Sequence, residues 1–132
     1  MSAGAGASIA IVDDDDSLRH SLVRLFRSAG YSVEAFASAT ELLSSLSQWR
    51  PDCVFLDLQL PGMTGNELLR RLSVFANPPP VVVITGNDDD CLRDECIALG
   101  ARHYFRKPLD SDALLEAARE LAEPAAGAAP RF

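Results

Sequence analysis

The chain has 132 residues, 48% of them hydrophobic and 23% charged, which suits a single globular domain and excludes a disordered or collagen-like chain. Nineteen acidic against twelve basic residues leave a net charge of -7, a field that repels phosphate backbones and argues against direct nucleic-acid binding. Apolar runs fall short of the roughly 20 residues of a membrane span, and the amino end lacks the pattern of a secretory leader, so a cytoplasmic protein with no membrane contact is expected.

Residues 1–7 are small and aperiodic and read as a disordered lead; Gly4 and Gly6 precede a strand, whereas a dinucleotide loop follows one. Residues 8–13 form a short apolar run ending in acids, the pattern of a strand buried on both faces of a parallel sheet. Over residues 16–29, Leu18, Leu22, Leu25, Phe26 and Ala29 keep helical spacing, acids crowd the start and Gly30 supplies the stop. The alternation then repeats. Residues 31–36 predict a second strand, and 39–46 a short helix opened by Ser38 or Thr40. Past Pro51, residues 53–57 predict a third buried strand, and 64–74 a helix after the turn residues Pro61 and Gly62. Pro78, Pro79 and Pro80 exclude helix; residues 81–85 follow as a strand, 88–99 as a helix ending at Gly100, and 103–105 as a short fifth strand. Residues 111–122 carry Leu114, Leu115, Ala118 and Leu121 on one face of a closing helix. The domain is therefore expected over 8–122, with 123–132 a flexible tail or linker stub.

Five strands alternating with five helices predict a doubly wound α/β fold, a parallel sheet with helices on both faces. Such sheets place their site beyond the carboxyl ends of the strands, where strand order reverses. Those ends carry Asp13 with Asp14, Asp57, Thr85 and, just past the fifth strand, Lys107. Eleven of the twelve basic residues are arginine and Lys107 is the only lysine; a compact ammonium fills sites that a flat guanidinium does not. Asp15 and Asp16 are read as acids complementing a helix dipole, and the acidic run 87–90 likewise as a solvated helix start. Asp57, closing an apolar strand, needs a partner.

Carboxylates within a few ångströms repel unless a pKa rises or a cation binds. Oxygen ligands with open positions favour Mg²⁺; a zinc site would want His or Cys, and His20 and His103 are not placed to help, while the acidic run lacks the spacing of a calcium loop. Cys53, Cys91 and Cys96 are too few for a disulfide framework or a four-ligand zinc site and are expected to be buried or half-buried thiols. With a metal in place the rim suits a phosphoryl group: Asp57 as carboxylate nucleophile, Mg²⁺ and Lys107 each neutralising an oxygen, and the Thr85 hydroxyl bonding a third. Gly86 leaves room for the donor. Base rates alone favour a trans Lys107–Pro108 bond.

The segments Val-Asp-Asp-Asp (12–15), Phe-Leu-Asp-Leu-Gln-Leu-Pro-Gly-Met-Thr-Gly (55–65), Val-Ile-Thr-Gly (83–86) and Tyr-Phe-Arg-Lys-Pro (104–108) resemble the receiver domain of two-component response regulators, a flavodoxin-like fold. The resemblance spans residues 8 to about 122. It implies strand order 2-1-3-4-5 and phosphoryl transfer from a histidine kinase or phosphotransfer protein to Asp57. It also implies Mg²⁺ on Asp14, Asp57 and the backbone carbonyl of Gln59, with Asp13 acting through water. Thr85, Tyr104 and Lys107 become switch residues that reshape the face of helix four, strand five and helix five for a downstream protein target, with a phosphorylation-dependent homodimer left open. Gln59 and Asn87 become positions that tune phosphate loss, and Pro108 the second residue of a cis peptide.

Three alternatives compete. A phosphatase with an aspartyl intermediate would need a second acid two residues after the nucleophile, where Gln59 stands, so a non-enzyme that catalyses only its own phosphorylation and dephosphorylation is expected. A phosphorylation-independent docking module is disfavoured by the complete set of chemical positions. A receiver fragment of a larger regulator with a DNA-binding output domain is the third; the given length favours a single-domain regulator.

Overall fold

The structure, a computed structural model, describes residues 7–86 and 90–122. Most of the expected lead, positions 87–89 with the tuning residue Asn87, and the expected tail at 123–132 lie outside the described residues. Ala7, which the sequence assigns to the lead, is buried and accepts a hydrogen bond from the Ser32 amide at 3.0 Å, so this residue packs with the sheet.

Three uninterrupted apolar runs become the middle of a sheet: β1 (Ser8–Val12), β3 (Cys53–Asp57) and β4 (Val81–Thr85). Alternation along each strand sends Ile9, Ile11, Cys53, Phe55, Val82 and Ile84 to one face and Ala10, Val12, Val54, Leu56, Val81 and Val83 to the other. Both faces are covered by helices, which is why no polar residue interrupts these runs. The edges are β2 (Ser32–Phe36) and β5 (Ala101–Arg106), and every pairing in the order β2-β1-β3-β4-β5 is parallel. This is the flavodoxin-like order that the resemblance implies.

On one face pack α1 (Asp16–Ser28) and α5 (Ser111–Leu121), centred on Phe26, whose ring lies 4.7 Å from that of Phe55. The other face takes α2 (Ala39–Ser45), α3 (Gly65–Ser73) and α4 (Asp90–Ala98), with Leu42, Leu68, Leu69, Leu72 and Cys96 buried beneath them. Burying each such large side chain is worth about 1.5–3 kcal/mol. The helices start where the sequence offers an oxygen to orphan amides: Asp15 accepts from Ser17 and Leu18, Thr64 from Glu67, and Asp110 from Asp112. Of the two candidates for α2, Ser38 is the cap, accepting from Glu41.

The largest departure from the sequence reading is β5, six residues long where three are expected. Its first half, Ala-Arg-His, lacks the continuous apolar signature because an edge strand is only half covered. Gly100, at φ 110, ends α4 and turns the chain straight into the strand. Cys91 is exposed rather than buried or half-buried, whereas Cys53 and Cys96 are buried; the two helical cysteines sit on different sides of α4.

Candidate functional site

The chain steps from β1 outward to β2 and then back across to β3, so strand order reverses between β1 and β3. A crevice opens there at the carboxyl ends. Asp13 continues β1, its amide donating to the Phe36 carbonyl at 3.1 Å, and Asp57 is the last residue of β3. Asp13, Asp14 and Asp57 each offer an oxygen within 4.8 Å of the others, with Asp13 and Asp57 buried and Asp14 exposed.

Each carboxylate is held differently. Asp57 is 4% exposed; its Oδ1 accepts from the Gln59 amide at 2.9 Å, and its Oδ2 lies 3.3 Å from Lys107 Nζ. Asp13 is 1% exposed; its Oδ1 accepts from the Asp15 amide at 2.9 Å, while Oδ2 is buried and has no hydrogen-bond partner among the described residues. Burial pushes the Asp13 carboxyl up to about 6, with the Asp57 and Asp14 charges adding to the rise and the Asp15 amide and Lys107 opposing it. An orphaned buried oxygen among three clustered carboxylates suits a hard cation with oxygen ligands, so the triad can take a metal. His20 and His103 lie outside this cluster; His103 pairs with Glu120 at 3.0 Å instead.

The opposite wall comes from β4 and β5. Thr85, fully buried, closes β4, and its carbonyl accepts from the Lys107 amide at 2.8 Å. That bond ties the lysine backbone to the threonine, and the Lys107–Pro108 peptide is cis. A Cβ placed on Gly86 would stand 3.6 Å from the Gln59 Oε1 and 3.9 Å from the Lys107 side chain, ordinary contact distances. Gly86 and Gln59 therefore both border the site, but a methyl group there meets no clash. Tyr104 is half-buried on β5 opposite Val83, packed on the face that α4 covers.

Two residues that shape the site escape the sequence reading. A Cβ on Gly65 would lie 2.6 Å from the Leu58 Cα and 2.9 Å from the Asp57 carbonyl, so only glycine lets the start of α3 abut the end of β3. Arg19 reaches back from α1 to donate to the Asp13 carbonyl at 2.8 Å and pairs with Asp16. Gly65 belongs to the quoted family segment without a role; for Arg19 the only signal is a cation six positions past an acidic strand end. Trp49, the only tryptophan, packs against Phe36 with ring centroids 6.1 Å apart, and the Phe36 carbonyl is the group that accepts the Asp13 amide.

A family model described as the response regulator receiver domain matches residues 9–119. Among curated proteins, the transcriptional regulatory protein FixJ of Bradyrhizobium diazoefficiens is 39% identical over 121 residues, covering 89% of this chain and 59% of its own length. The chain thus spans only part of that relative. Among solved structures, a CheY-like response regulator receiver domain protein from Methanospirillum hungatei is 30% identical, with a TM-score of 0.83 and coverage of 92% of this chain and 98% of that one. A response regulator receiver protein from Burkholderia phymatum is 38% identical at a TM-score of 0.77, covering 88% and 94% of the two chains. Receiver domains are signalling modules rather than turnover enzymes. With the sheet order and the acidic pocket of Asp13, Asp14 and Asp57 in agreement, this chain belongs to the response regulator receiver domain family and carries the pocket for phosphorylation in two-component signalling.

Proposed function

We propose that Asp57 is the phosphoacceptor, and that the observation carrying this reading is its surroundings: a buried carboxylate, one oxygen held by the Gln59 amide and the other 3.3 Å from the only lysine, beside two more acids. An Asp57 oxygen forms the bond to phosphorus as the bond to the donor's leaving atom breaks. Lys107 then shifts from the free carboxylate to one phosphoryl oxygen, and the Thr85 hydroxyl bonds another. Asp14, Asp57 and the Gln59 carbonyl would hold Mg²⁺, with Asp13 engaged through water; bound there, the ion supplies neutralising charge to a phosphoryl oxygen.

The donor is a histidine kinase or phosphotransfer protein, since receiver membership implies that class of partner. Phosphorylation adds about -1.5 to -2 charges. The response runs through Thr85 and Tyr104 to the α4, β5 and α5 face and so to a downstream protein or a second copy. Driving such a switch from 1:99 to 99:1 takes about 5.5 kcal/mol, within the reach of a few charge-assisted bonds. Gln59, Gly86, Asn87 and Pro108 tune how fast the phosphoryl group is lost, and of these Gln59 and Gly86 border the site. No helix among the described residues is long and apolar enough to cross a membrane, which accords with a cytoplasmic setting.

The test is phosphorylation by acetyl phosphate with Mg²⁺, followed by intact mass. One phosphoryl group is gained by the wild type and none by Asp57→Asn. A wild type that stays unmodified while a control receiver is labelled would refute the assignment.

A further inference from the structure

We infer that Arg19 is a positioning residue for the metal site, holding the peptide from which Asp14 departs. The inference rests on the reading of Asp13, Asp14 and Asp57 as metal ligands. Arg19 Nη1 donates to the Asp13 carbonyl at 2.8 Å, and Nη2 pairs with Asp16. The side chain is only 14% exposed, so the guanidinium is committed to this geometry rather than waving in solvent. The Asp13 carbonyl belongs to the planar unit that ends at the Asp14 Cα. The Asp13 amide is pinned to the Phe36 carbonyl at 3.1 Å and its Oδ1 to the Asp15 amide at 2.9 Å. Arg19 supplies the remaining restraint on this residue's polar groups, and it is the one that sets the direction in which the chain leaves toward Asp14. Asp14 itself is exposed, so the direction of its backbone matters to where its carboxylate points.

A planar fork suits this work. One prong takes the carbonyl and the other takes Asp16 on the first turn of α1, so the loop is clamped to the helix that follows it. A lysine offers a point charge without that fork. Asp15 completes the clamp by capping α1 through the Ser17 and Leu18 amides.

Positioning and simple charge predict opposite signs. Any cation in the neighbourhood opposes a divalent ion, so if Arg19 acted only as a charge its removal would tighten Mg²⁺ binding. If it aims Asp14, removal weakens binding, by about tenfold on the scale of groups that orient metal ligands.

The experiment measures Mg²⁺ affinity calorimetrically for wild type, Arg19→Met and Arg19→Lys, with folding checked by circular dichroism. Asp52→Ala, which removes the remote acceptor of the Ser8 amide, serves as a destabilised control. Expected is a Kd raised about tenfold in Arg19→Met, a smaller rise in Arg19→Lys, and no change in Asp52→Ala. Acetyl phosphate labelling should need correspondingly more Mg²⁺ to reach half its maximum, while the rate at saturating Mg²⁺ stays near wild type. An unchanged or lowered Kd in Arg19→Met overturns the inference; if that variant does not fold, an unchanged Kd in Arg19→Lys does so. A wild type that binds no Mg²⁺ would instead refute the metal site itself.

Discussion

Replacing Asp13 by Asn should make the metal-free protein more stable. The Asp13 carboxyl is 1% exposed, with one oxygen unpartnered among the described residues and two other carboxylates close by. Burial above all pushes its pKa from 3.8 to about 6. A folded-state pKa above the unfolded one means that the protonated form is favoured by folding. The stabilisation from that proton is fully present below 3.8 and is lost as the pH rises through about 6. Two units at about 1.4 kcal/mol each put the loss near 3 kcal/mol, an order-of-magnitude ceiling. Asparagine keeps the acceptor for the Asp15 amide, turns the orphaned oxygen into a donor facing carboxylates, and carries no charge. Near pH 8 in a chelator, Asp13→Asn should therefore gain up to about 3 kcal/mol, shrinking to roughly 0.5 kcal/mol near pH 4. Urea unfolding reads this directly, since about 1–3 kcal/mol per molar turns the gain into a midpoint shift of about 1 M or more. Mg²⁺ should stabilise the wild type more than the variant. A variant no more stable than wild type near pH 8, or an advantage that persists undiminished near pH 4, would show that Asp13 is not held at an energetic cost.

Gly65→Ala should destabilise by about 1–3 kcal/mol, because the new methyl group would sit 2.6 Å from the Leu58 Cα, which cannot move aside as a side chain would; a urea midpoint equal to wild type would contradict this. Lys107→Met should tighten Mg²⁺ binding while slowing acetyl phosphate labelling, since the ammonium 3.3 Å from Asp57 Oδ2 competes with the metal yet assists the phosphoryl group; slower labelling with weaker Mg²⁺ binding would count against that division of roles. In native protein a thiol reagent should modify one cysteine quickly, the exposed Cys91. Burial pushes Cys53 up to about 12 and Cys96 to about 11, so both should react only on unfolding, and fast labelling of two or three thiols would refute this.

Much of this architecture is legible before any coordinates. Residues 53–57 and 81–85 read as buried strands because both faces of the sheet are covered, and the helices of that cover show their own period in Leu68, Leu69 and Leu72. Asp57 stands out for the same reason: a charge at the end of a run otherwise free of polar groups. The start of β5 is illegible because an edge strand buries too little to demand an apolar pattern. Gly65 and Arg19 are illegible for a different reason. Each matters through a contact with backbone, the Leu58 Cα for the one and the Asp13 carbonyl for the other, and a backbone contact leaves no complementary residue type to find.

The order of elements, and the placing of acids, a hydroxyl and the lone lysine at successive strand ends, follow from the sequence by itself, because hydrophobic period and chain direction are local properties. Only the tertiary structure decides that β3 lies beside β1, bringing three carboxylates within 4.8 Å, and that one oxygen of Asp13 is buried with no donor among the described residues. Proximity and desolvation depend on the crossovers and on what covers the crevice, and no single segment of the chain encodes either.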